Sequence, residues 1–393
     1  MRSTRTLAIL LMAFALFATA CASDAEDPVA DAGTPGGDTD TATQDATADT
    51  EAPEDADAGS DDDAGSNDDG GSVDLAGAGA SFPDPVYQTW IGTYTQEIDP
   101  SVTINYNAIG SGGGREAFIA QEVDFAGSDA FMGDEDIAAA IEARGGGDVL
   151  HIPMVFGGVV VAYNIEGLDD LVLDAATISG IFRGEITNVN DPAIAELNPD
   201  ADLPDQELTV VHRSDGSGTT SIFTTWLEDE DQAWADEVGS GSEVEWPTGL
   251  GGDQNQGVQQ TLSQQPGGIG YLSLEFAVEA GLPFARVVNA DGNAVEATTE
   301  TVSAAADSLS EVPEDLRFNL LGIGGDAYPI AGATWVLAAT TGMDEAKAEA
   351  LRAYLTWALE EGDADASALG YAPLGEEMQQ RALEKVEQIN ADA

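Results

Sequence analysis

Three short stretches of the sequence combine hydroxyl side chains with glycine in a way that suits the binding of an anion. The hydroxyl residues are Ser81 in A-G-A-S-F, Ser111 in I-G-S-G-G-G, and Ser217 and Thr219 in R-S-D-G-S-G-T. Hydroxyl groups and the first backbone N–H groups of a helix donate hydrogen bonds, and glycine lets the backbone approach a ligand closely. Together the three stretches predict a site for a small anion.

Arg213 adds a full positive charge to the third stretch, in a sequence where basic residues are scarce. The chain has 12 Lys and Arg against 73 Asp and Glu. A guanidinium can hold two oxygens of a tetrahedral oxyanion, and Asp215, two positions later, is placed to orient it. A single glycine turn is typical of a structural loop, but three turns with one arginine favour an oxyanion site.

Alternating strands and helices must position these residues. V-D-L-A-G-A-G-A-S predicts a strand, and the helix after it places Val86, Trp90 and Tyr94 on one face. S-V-T-I-N-Y-N-A-I alternates as a strand does, a helix is expected over about 115–123, and D-F-A-G-S-D-A is a short strand ending at Asp129. L-T-V-V-H-R is a further buried strand, followed by a helix. The pattern predicts an α/β fold with a mostly parallel sheet.

Two long apolar passages indicate that the chain crosses between two domains. I-P-M-V-F-G-G-V-V-V-A-Y-N-I is longer than an ordinary strand, and P-G-G-I-G-Y-L-S-L-E-F-A is a second passage of this kind. The remainder carries a hairpin signal at N-A-D-G-N and two amphipathic helices at the C-terminal end. Two crossings imply one domain inserted within another.

Residues 1–21 have the anatomy of a secretory signal, with a basic start, an apolar stretch and small residues before Cys21. A-T-A-C resembles the lipobox of bacterial lipoproteins, in which the cysteine is acylated, although alanine stands where leucine is usual. Ordinary signal cleavage beside an incidental cysteine is the alternative. No later segment is long and apolar enough to span a bilayer, so we expect an exported protein, periplasmic or at the cell surface and lipid-anchored to a membrane.

Acidity dominates the rest of the composition. Residues 22–72 are rich in Asp, Ala, Gly, Thr and Ser and lack Lys and Arg, which predicts a disordered acidic tether. Of the formal net charge of −61, about −46 remains on the roughly 320 residues that follow. This excess disfavours nucleic acid as a partner and indicates a salt-adapted, halophilic source.

The motifs as a set resemble the phosphate-binding protein of the bacterial phosphate-specific ABC importer. The resemblance extends from about Leu75 to near the C-terminus, with the motifs in the order of that family. They are G-A-G-A-S-F-P-D-P-V-Y, I-G-S-G-G-G, V-D-F-A-G-S-D-A, F-G-G-V-V-V-A-Y-N, R-S-D-G-S-G-T-T, W-P-T-G-L-G-G and G-G-I-G-Y-L.

The resemblance implies a set of phosphate-binding residues. Asp129 corresponds to the carboxylate that accepts a hydrogen bond from the phosphate hydroxyl. The other positions that match the family's ligands are Ser81, Phe82, Ser111, Arg213, Asp215, Ser217, Gly218 and Thr219.

The resemblance also implies a type II periplasmic-binding-protein fold, in which two α/β lobes joined by a two-strand hinge close on the ligand. The crossings predict lobe one as residues 73–155 and 272–393, and lobe two as residues 156–271. The expected partners are inorganic phosphate and the membrane permease of a phosphate ABC importer, for a protein that is a monomer and needs neither a cofactor nor a metal.

A phosphohydrolase could use the same oxyanion site, with Ser217 as the nucleophile. The sequence places no general base or metal cluster beside it, since His151 and His212 are the only histidines and His212 should point away from Arg213. We therefore expect a binding protein rather than an enzyme. A surface or scaffold protein that keeps a binding fold is a third interpretation.

Overall fold

The computed structural model describes residues 72–309 and 311–392. The predicted signal peptide, Cys21 and the predicted tether lie outside the described residues, apart from Ser72 at the end of the tether. Within the described part, the structure contains no helix that combines the length and the apolar character needed to span a membrane.

Eleven strands are present in the described residues. They are β1 (Val73–Gly79), β2 (Val102–Ala108), β3 (Phe125–Ser128), β4 (Val149–Asn164), β5 (Val172–Leu173), β6 (Thr209–Arg213), β7 (Leu250–Gly252), β8 (Gly268–Ser273), β9 (Arg286–Val288), β10 (Ala294–Val295) and β11 (Ala331–Ala339).

Thirteen α-helices accompany them in the same part of the chain. They are α1 (Asp84–Thr93), α2 (Gly110–Ile119), α3 (Asp134–Arg144), α4 (Ala175–Phe182), α5 (Pro192–Leu197), α6 (Gly218–Glu230), α7 (Gln232–Glu237), α8 (Gln254–Gln264), α9 (Leu274–Ala280), α10 (Thr299–Asp307), α11 (Glu345–Glu361), α12 (Asp363–Ala368) and α13 (Glu376–Val386). A π-helical turn, Tyr94–Ile98, extends α1.

The main sheet has eight strands in the order β2-β1-β3-β11-β4-β8-β6-β7. At one end of the sheet β1 pairs parallel with β2 and with β3. At the other end β6 pairs parallel with β7 and with β8. Its centre is antiparallel, since β11 pairs with β3 and β4 and β4 pairs with β8. The sheet is therefore mixed, whereas the sequence predicted a mostly parallel one.

Strand β4 links the two ends of the sheet. Its 16 residues are buried except at the last position. Val149 to Gly158 pair with β11, and Val159 to Asn164 pair with β8. The continuous apolar run is thus explained by a strand that is covered on both faces along its whole length. The second apolar passage forms β8 and the start of α9, which follows it directly.

The hairpin expected at N-A-D-G-N is confirmed, because β9 and β10 pair antiparallel, with Val288 opposite Ala294. β9 also pairs with β5, so residues 286–288 of predicted lobe one lie beside residues 172–173 of predicted lobe two. The lobe boundaries stay a prediction.

Helix α2 begins five residues earlier than the predicted Arg115. Glycine has a low helix propensity, but a Cβ added at Gly114 would come within 2.5 Å of Gly79 Cα. The close approach of α2 to β1 therefore favours glycine inside the helix. The helix ends before the predicted Val123, because Gln121 adopts a left-handed backbone conformation with φ 59°.

Candidate anion-binding site

Three of the predicted residues follow neighbouring strands at one edge of the sheet. Ser81 comes after β1, Ser111 is the second residue of α2 after β2, and Asp129 follows β3. Because β1 pairs parallel with both β2 and β3, the carboxyl ends of these strands meet at the same edge. The Ser111 and Asp129 side chains are buried and adjacent, and the Asp129 N–H donates to Ser111 Oγ at 3.1 Å.

The five predicted residues within 213–219 lie on the other side of β4, at the end of β6. Arg213 is the last residue of that strand, and Ser217 caps α6 by accepting a hydrogen bond from the Thr220 N–H at 3.0 Å. Gly218 and Thr219 form the first turn of α6, whose leading N–H groups have no partner within the helix. The turn therefore presents backbone donors and the positive end of a helix dipole.

These two groups of loops lie in direct contact. The Gly112 N–H donates to the Gly216 carbonyl at 2.7 Å. A Cβ added at Gly218 would come within 2.5 Å of both Asp129 Cβ and Ser111 Oγ. Glycine at this position lets the start of α6 close over Ser111 and Asp129.

Arg213 is a buried charge, 3% exposed, and hydrogen bonds fix its guanidinium group. Its Nε donates to Asp215 Oδ1 at 2.7 Å and its Nη2 donates to Asp215 Oδ2 at 2.5 Å, while Nη1 donates to Thr219 Oγ1 at 3.3 Å. The Arg213 N–H donates to the hydroxyl of buried Tyr271 at 3.1 Å, which ties the loop to the aromatic core. A bidentate pair of this kind fixes the direction of the guanidinium.

Asp129 is a buried carboxyl among donors. Thr334 Oγ1 donates to its Oδ1 at 2.8 Å, and Ser111 Oγ donates to its Oδ2 at 3.4 Å. Burial raises the pKa of Asp129 to about 7, and the hydrogen bond from Thr334 and the charge of Arg213 oppose that rise. Near neutral pH this group can therefore hold or release a proton.

Two of the predicted residues have side chains that serve the fold. The Phe82 ring is fully buried and lies edge-on to Tyr371, with 6.1 Å between the ring centroids. The Ser217 hydroxyl caps α6, as described above. His212 stacks on Trp246 at 4.9 Å between ring centroids, and its Nδ1 lies 2.9 Å from the carbonyl oxygen of Arg213.

Three further residues join the site that were not selected from the sequence. Thr334 comes from β11, which the sequence pattern did not assign to any element. Arg115, directly after G-S-G-G-G, donates to Ser242 Oγ at 2.8 Å and to Ser128 Oγ at 3.3 Å, and burial lowers its pKa. Asn255, three residues after the W-P-T-G-L-G-G motif, donates to Ser81 Oγ and Thr219 Oγ1. The sequence signal that could have identified Arg115 and Asn255 is a polar side chain close to a glycine-rich motif.

The site as built combines many donors with one carboxyl that can accept a proton. Within residues 72–309 and 311–392, no group of three or more His, Cys, Asp or Glu side chains is arranged to hold a metal ion. The chemistry suits a small tetrahedral oxyanion that carries a single proton.

The fold and this site define a solute-binding protein of the type II periplasmic-binding-protein class, and a profile of the PBP superfamily domain matches residues 39–361. The chain is 36% identical over 311 residues to the phosphate-binding protein PstS of Pasteurella multocida, covering 78% of this chain and 88% of that protein. The protein therefore belongs to the PBP superfamily and, within it, to the PstS family of phosphate-binding proteins, as the motifs indicated.

Solved structures agree on the fold. A high-affinity periplasmic phosphate-binding protein, PfluDING, bound with phosphate, matches with a TM-score of 0.66 and 22% identity, covering 78% of this chain and 92% of that one. A putative phosphate ABC transporter substrate-binding protein from Clostridium perfringens, with bound phosphate, matches with a TM-score of 0.57 and 17% identity, covering 77% of this chain and 100% of that one. The predicted fold class, two α/β lobes joined by two strands, is confirmed.

Proposed function

We propose that this protein binds inorganic phosphate outside the cytoplasmic membrane and delivers it to the permease of an ABC importer. The observation that carries the proposal is a buried Arg213, fixed by Asp215, in the same cluster as the buried carboxyl of Asp129. The names of the relatives, all phosphate-binding proteins, support the same ligand.

In this proposal the two lobes close on the anion like a clamp. Arg213 supplies the positive charge, and the first N–H groups of α6 and the hydroxyls of Ser81, Ser111 and Thr219 supply further donors. Asp129 accepts the hydrogen bond from the phosphate hydroxyl. Phosphate bridges the lobes and thereby stabilises the closed state over the open one.

Ligand titration of the full chain tests the proposal. We expect calorimetry at fixed high chloride to give one phosphate site per chain and much weaker binding of sulfate. A chromogenic phosphomonoester assay in the same buffer should show no turnover, because a binding protein releases its ligand unchanged. Absence of phosphate binding, or catalytic turnover of the ester, would contradict the proposal.

The proposal extends to export and anchoring. The periplasmic structural neighbour supports a protein that acts outside the cytoplasm, and the apolar N-terminal stretch followed by Cys21 supports a lipid anchor. A bacterial lipoprotein carries several acyl chains, which bind a membrane far more firmly than one chain.

Detergent partitioning tests the anchor. The native protein should enter the detergent phase, and Cys21→Ser should move it to the aqueous phase while leaving phosphate affinity unchanged. Mass spectrometry that finds an unmodified mature N-terminus would contradict the anchor and favour ordinary signal cleavage.

A further inference from the structure

Asn255 occupies a central place in the site and belongs to none of the residues implied by the family resemblance. It is the second residue of α8 and is fully buried. The residue before it, Gln254, has φ 59°, and its N–H donates to Asp215 Oδ1 at 3.1 Å. The start of α8 is thereby tied to the loop that orients Arg213.

The direction of the Asn255 amide is fixed from behind. Its Oδ1 accepts a hydrogen bond from the Ser273 N–H at 3.1 Å. A backbone N–H can only donate, so the carbonyl oxygen of the amide must face Ser273 at the end of β8. The NH2 group must then face the opposite way, toward the hydroxyls of the site.

Two hydroxyls receive this NH2 group. Ser81 Oγ accepts from Asn255 Nδ2 at 3.1 Å and from the Asn255 backbone N–H at 3.2 Å. Thr219 Oγ1 accepts from Asn255 Nδ2 at 3.2 Å and from Arg213 Nη1 at 3.3 Å. A hydroxyl oxygen has two lone pairs and one proton. With both lone pairs occupied, each hydroxyl can only donate its proton to a further partner.

We propose that Asn255 is a specificity-determining positioning residue, which fixes Ser81 and Thr219 as pure hydrogen-bond donors. This inference rests on the proposed function and deepens it. The phosphate oxygens that face Ser81 and Thr219 must then be unprotonated. The single proton of hydrogen phosphate is directed to the oxygen that faces Asp129, the carboxyl acceptor of the site.

The inference is tested with a double-mutant cycle measured by phosphate calorimetry. Asn255→Ala should weaken phosphate binding about tenfold to a hundredfold, the range expected when hydrogen bonds around a charged group are lost. In the Ser81→Ala, Thr219→Val background, the same substitution should change the affinity by less than about threefold, because no hydroxyl remains to be oriented. An equal change in both backgrounds would overturn the inference.

The variant Asn255→Asp adds a second measurement, the dependence of the affinity loss on pH. A purely structural role of Asn255 would not produce such a dependence. The introduced carboxylate accepts hydrogen bonds where the amide donated, and it repels the anion, so at alkaline pH the loss should exceed that of Asn255→Ala. Acidification should bring its affinity closer to that of the wild type measured at the same pH, because a protonated carboxyl can again donate. A loss independent of pH would contradict the assigned role.

Asn198→Ala is the matched control, since Asn198 is also buried and bonded through both ends of its amide, to Val172 on β5, and lies outside the site. It should lower the thermal midpoint of the ligand-free protein and leave phosphate affinity within about twofold. If the wild type binds no phosphate, the proposed function fails and this inference with it. If the wild type binds phosphate and Asn255→Ala binds it equally well, only this inference fails.

Discussion

At the scale of single residues, we expect Asp129 to determine which tetrahedral anion the site accepts. Phosphate and sulfate have similar size and shape, so Arg213 and the N–H and hydroxyl donors cannot separate them. Phosphate keeps a proton at neutral pH and sulfate does not. An ionised Asp129 therefore gains a charge-assisted hydrogen bond from phosphate and faces a bare negative oxygen in sulfate.

The substitution Asp129→Asn should remove this selectivity. We expect the wild type to prefer phosphate over sulfate on the order of a thousandfold or more, because a site built around one hydrogen bond rejects a ligand that lacks it. The amide can turn its N–H toward sulfate, so the ratio should fall sharply in the variant. Calorimetry with each anion at fixed chloride measures it. Glu275→Gln, at another buried carboxyl whose pKa burial raises to about 8, is the control and should keep the ratio.

The raised pKa of Asp129, about 7 in the ligand-free protein, predicts how phosphate affinity depends on pH. The complex holds one proton, which hydrogen phosphate donates to the carboxylate in a hydrogen bond. Hydrogen phosphate keeps this proton at alkaline pH, so the anion and the ionised Asp129 combine there without uptake or release of a proton. At acidic pH Asp129 and phosphate each carry one extra proton, and both protons must be released on binding. Affinity should therefore be nearly constant above about pH 8 and fall at lower pH, approaching about a hundredfold per pH unit once both groups are protonated.

Titrations between pH 5 and 9 at constant ionic strength test this dependence. In Asp129→Asn only phosphate carries an extra proton at acidic pH, so the fall in affinity should be shallower than in the wild type, about tenfold per pH unit. The same dependence on pH in the wild type and the variant would show that Asp129 releases no proton when phosphate binds.

At the scale of secondary-structure elements, glycine residues at the starts of helices allow the parts of the site to come together. The first turns of α2 and α6 approach each other so closely that the Gly112 N–H bonds the Gly216 carbonyl at 2.7 Å. Gly218 lies on Asp129 and Ser111 with no room for a side chain. The same residues that let the backbone approach a ligand also let the two groups of loops meet.

Gly218→Ala should therefore impair closure. The added Cβ would lie 2.5 Å from Asp129 Cβ, and overpacking of this kind typically costs about 1–3 kcal/mol. Phosphate affinity should fall about tenfold to a hundredfold, while the thermal midpoint of the ligand-free protein changes little because the open lobes avoid the clash. Gly133→Ala, at the start of α3 with nothing near its added Cβ, is the control. Unchanged phosphate affinity in Gly218→Ala would contradict closure at this contact.

Strand β11 shows how one element can complete a site from far along the chain. It lies between β3 and β4 in the sheet and brings Thr334 to Asp129, 205 positions earlier in the sequence. Its apolar run A-G-A-T-W-V-L-A-A has the composition of a buried strand. Its place in the sheet depends on long-range pairing with both neighbours, which local patterns do not specify.

At the scale of the whole molecule, the large negative net charge makes stability depend on salt. The roughly 320 residues after residue 72 carry a net charge of about −46, and their carboxylates repel one another unless salt screens them. At molar ionic strength the Debye length falls to about 3 Å, so repulsion between surface carboxylates is nearly removed. The source of the protein is therefore expected to be salt-adapted.

Thermal unfolding across a salt series tests this expectation. The midpoint should rise between low and molar KCl or NaCl. Near pH 4, where many of the carboxylates are protonated, the same series should produce a smaller rise. A midpoint that stays flat or falls at neutral pH would show that the acidity is not an adaptation to salt.

Much of the fold and of the site could be predicted from local sequence patterns. The helix face of Val86, Trp90 and Tyr94 is buried as expected, and β4 is the long buried strand that its apolar run indicated. Glycine loops, hydroxyls and one arginine are chemically distinctive, so the class of ligand followed from residue types and spacing. The order of the motifs indicated the family.

Tertiary structure alone decided which residues meet and how they are oriented. The local sequence does not show which partners Asn255 meets, because its bonds to Ser81, Thr219 and Ser273 join residues as far as 174 positions apart. The start of α2 at Gly110 was decided by close packing against β1, which overrides the low helix propensity of glycine. Residue type and spacing set which groups can donate, accept or carry charge. The distances between those groups, and the burial that raises the pKa of Asp129, arise only when strands from distant parts of the chain pair.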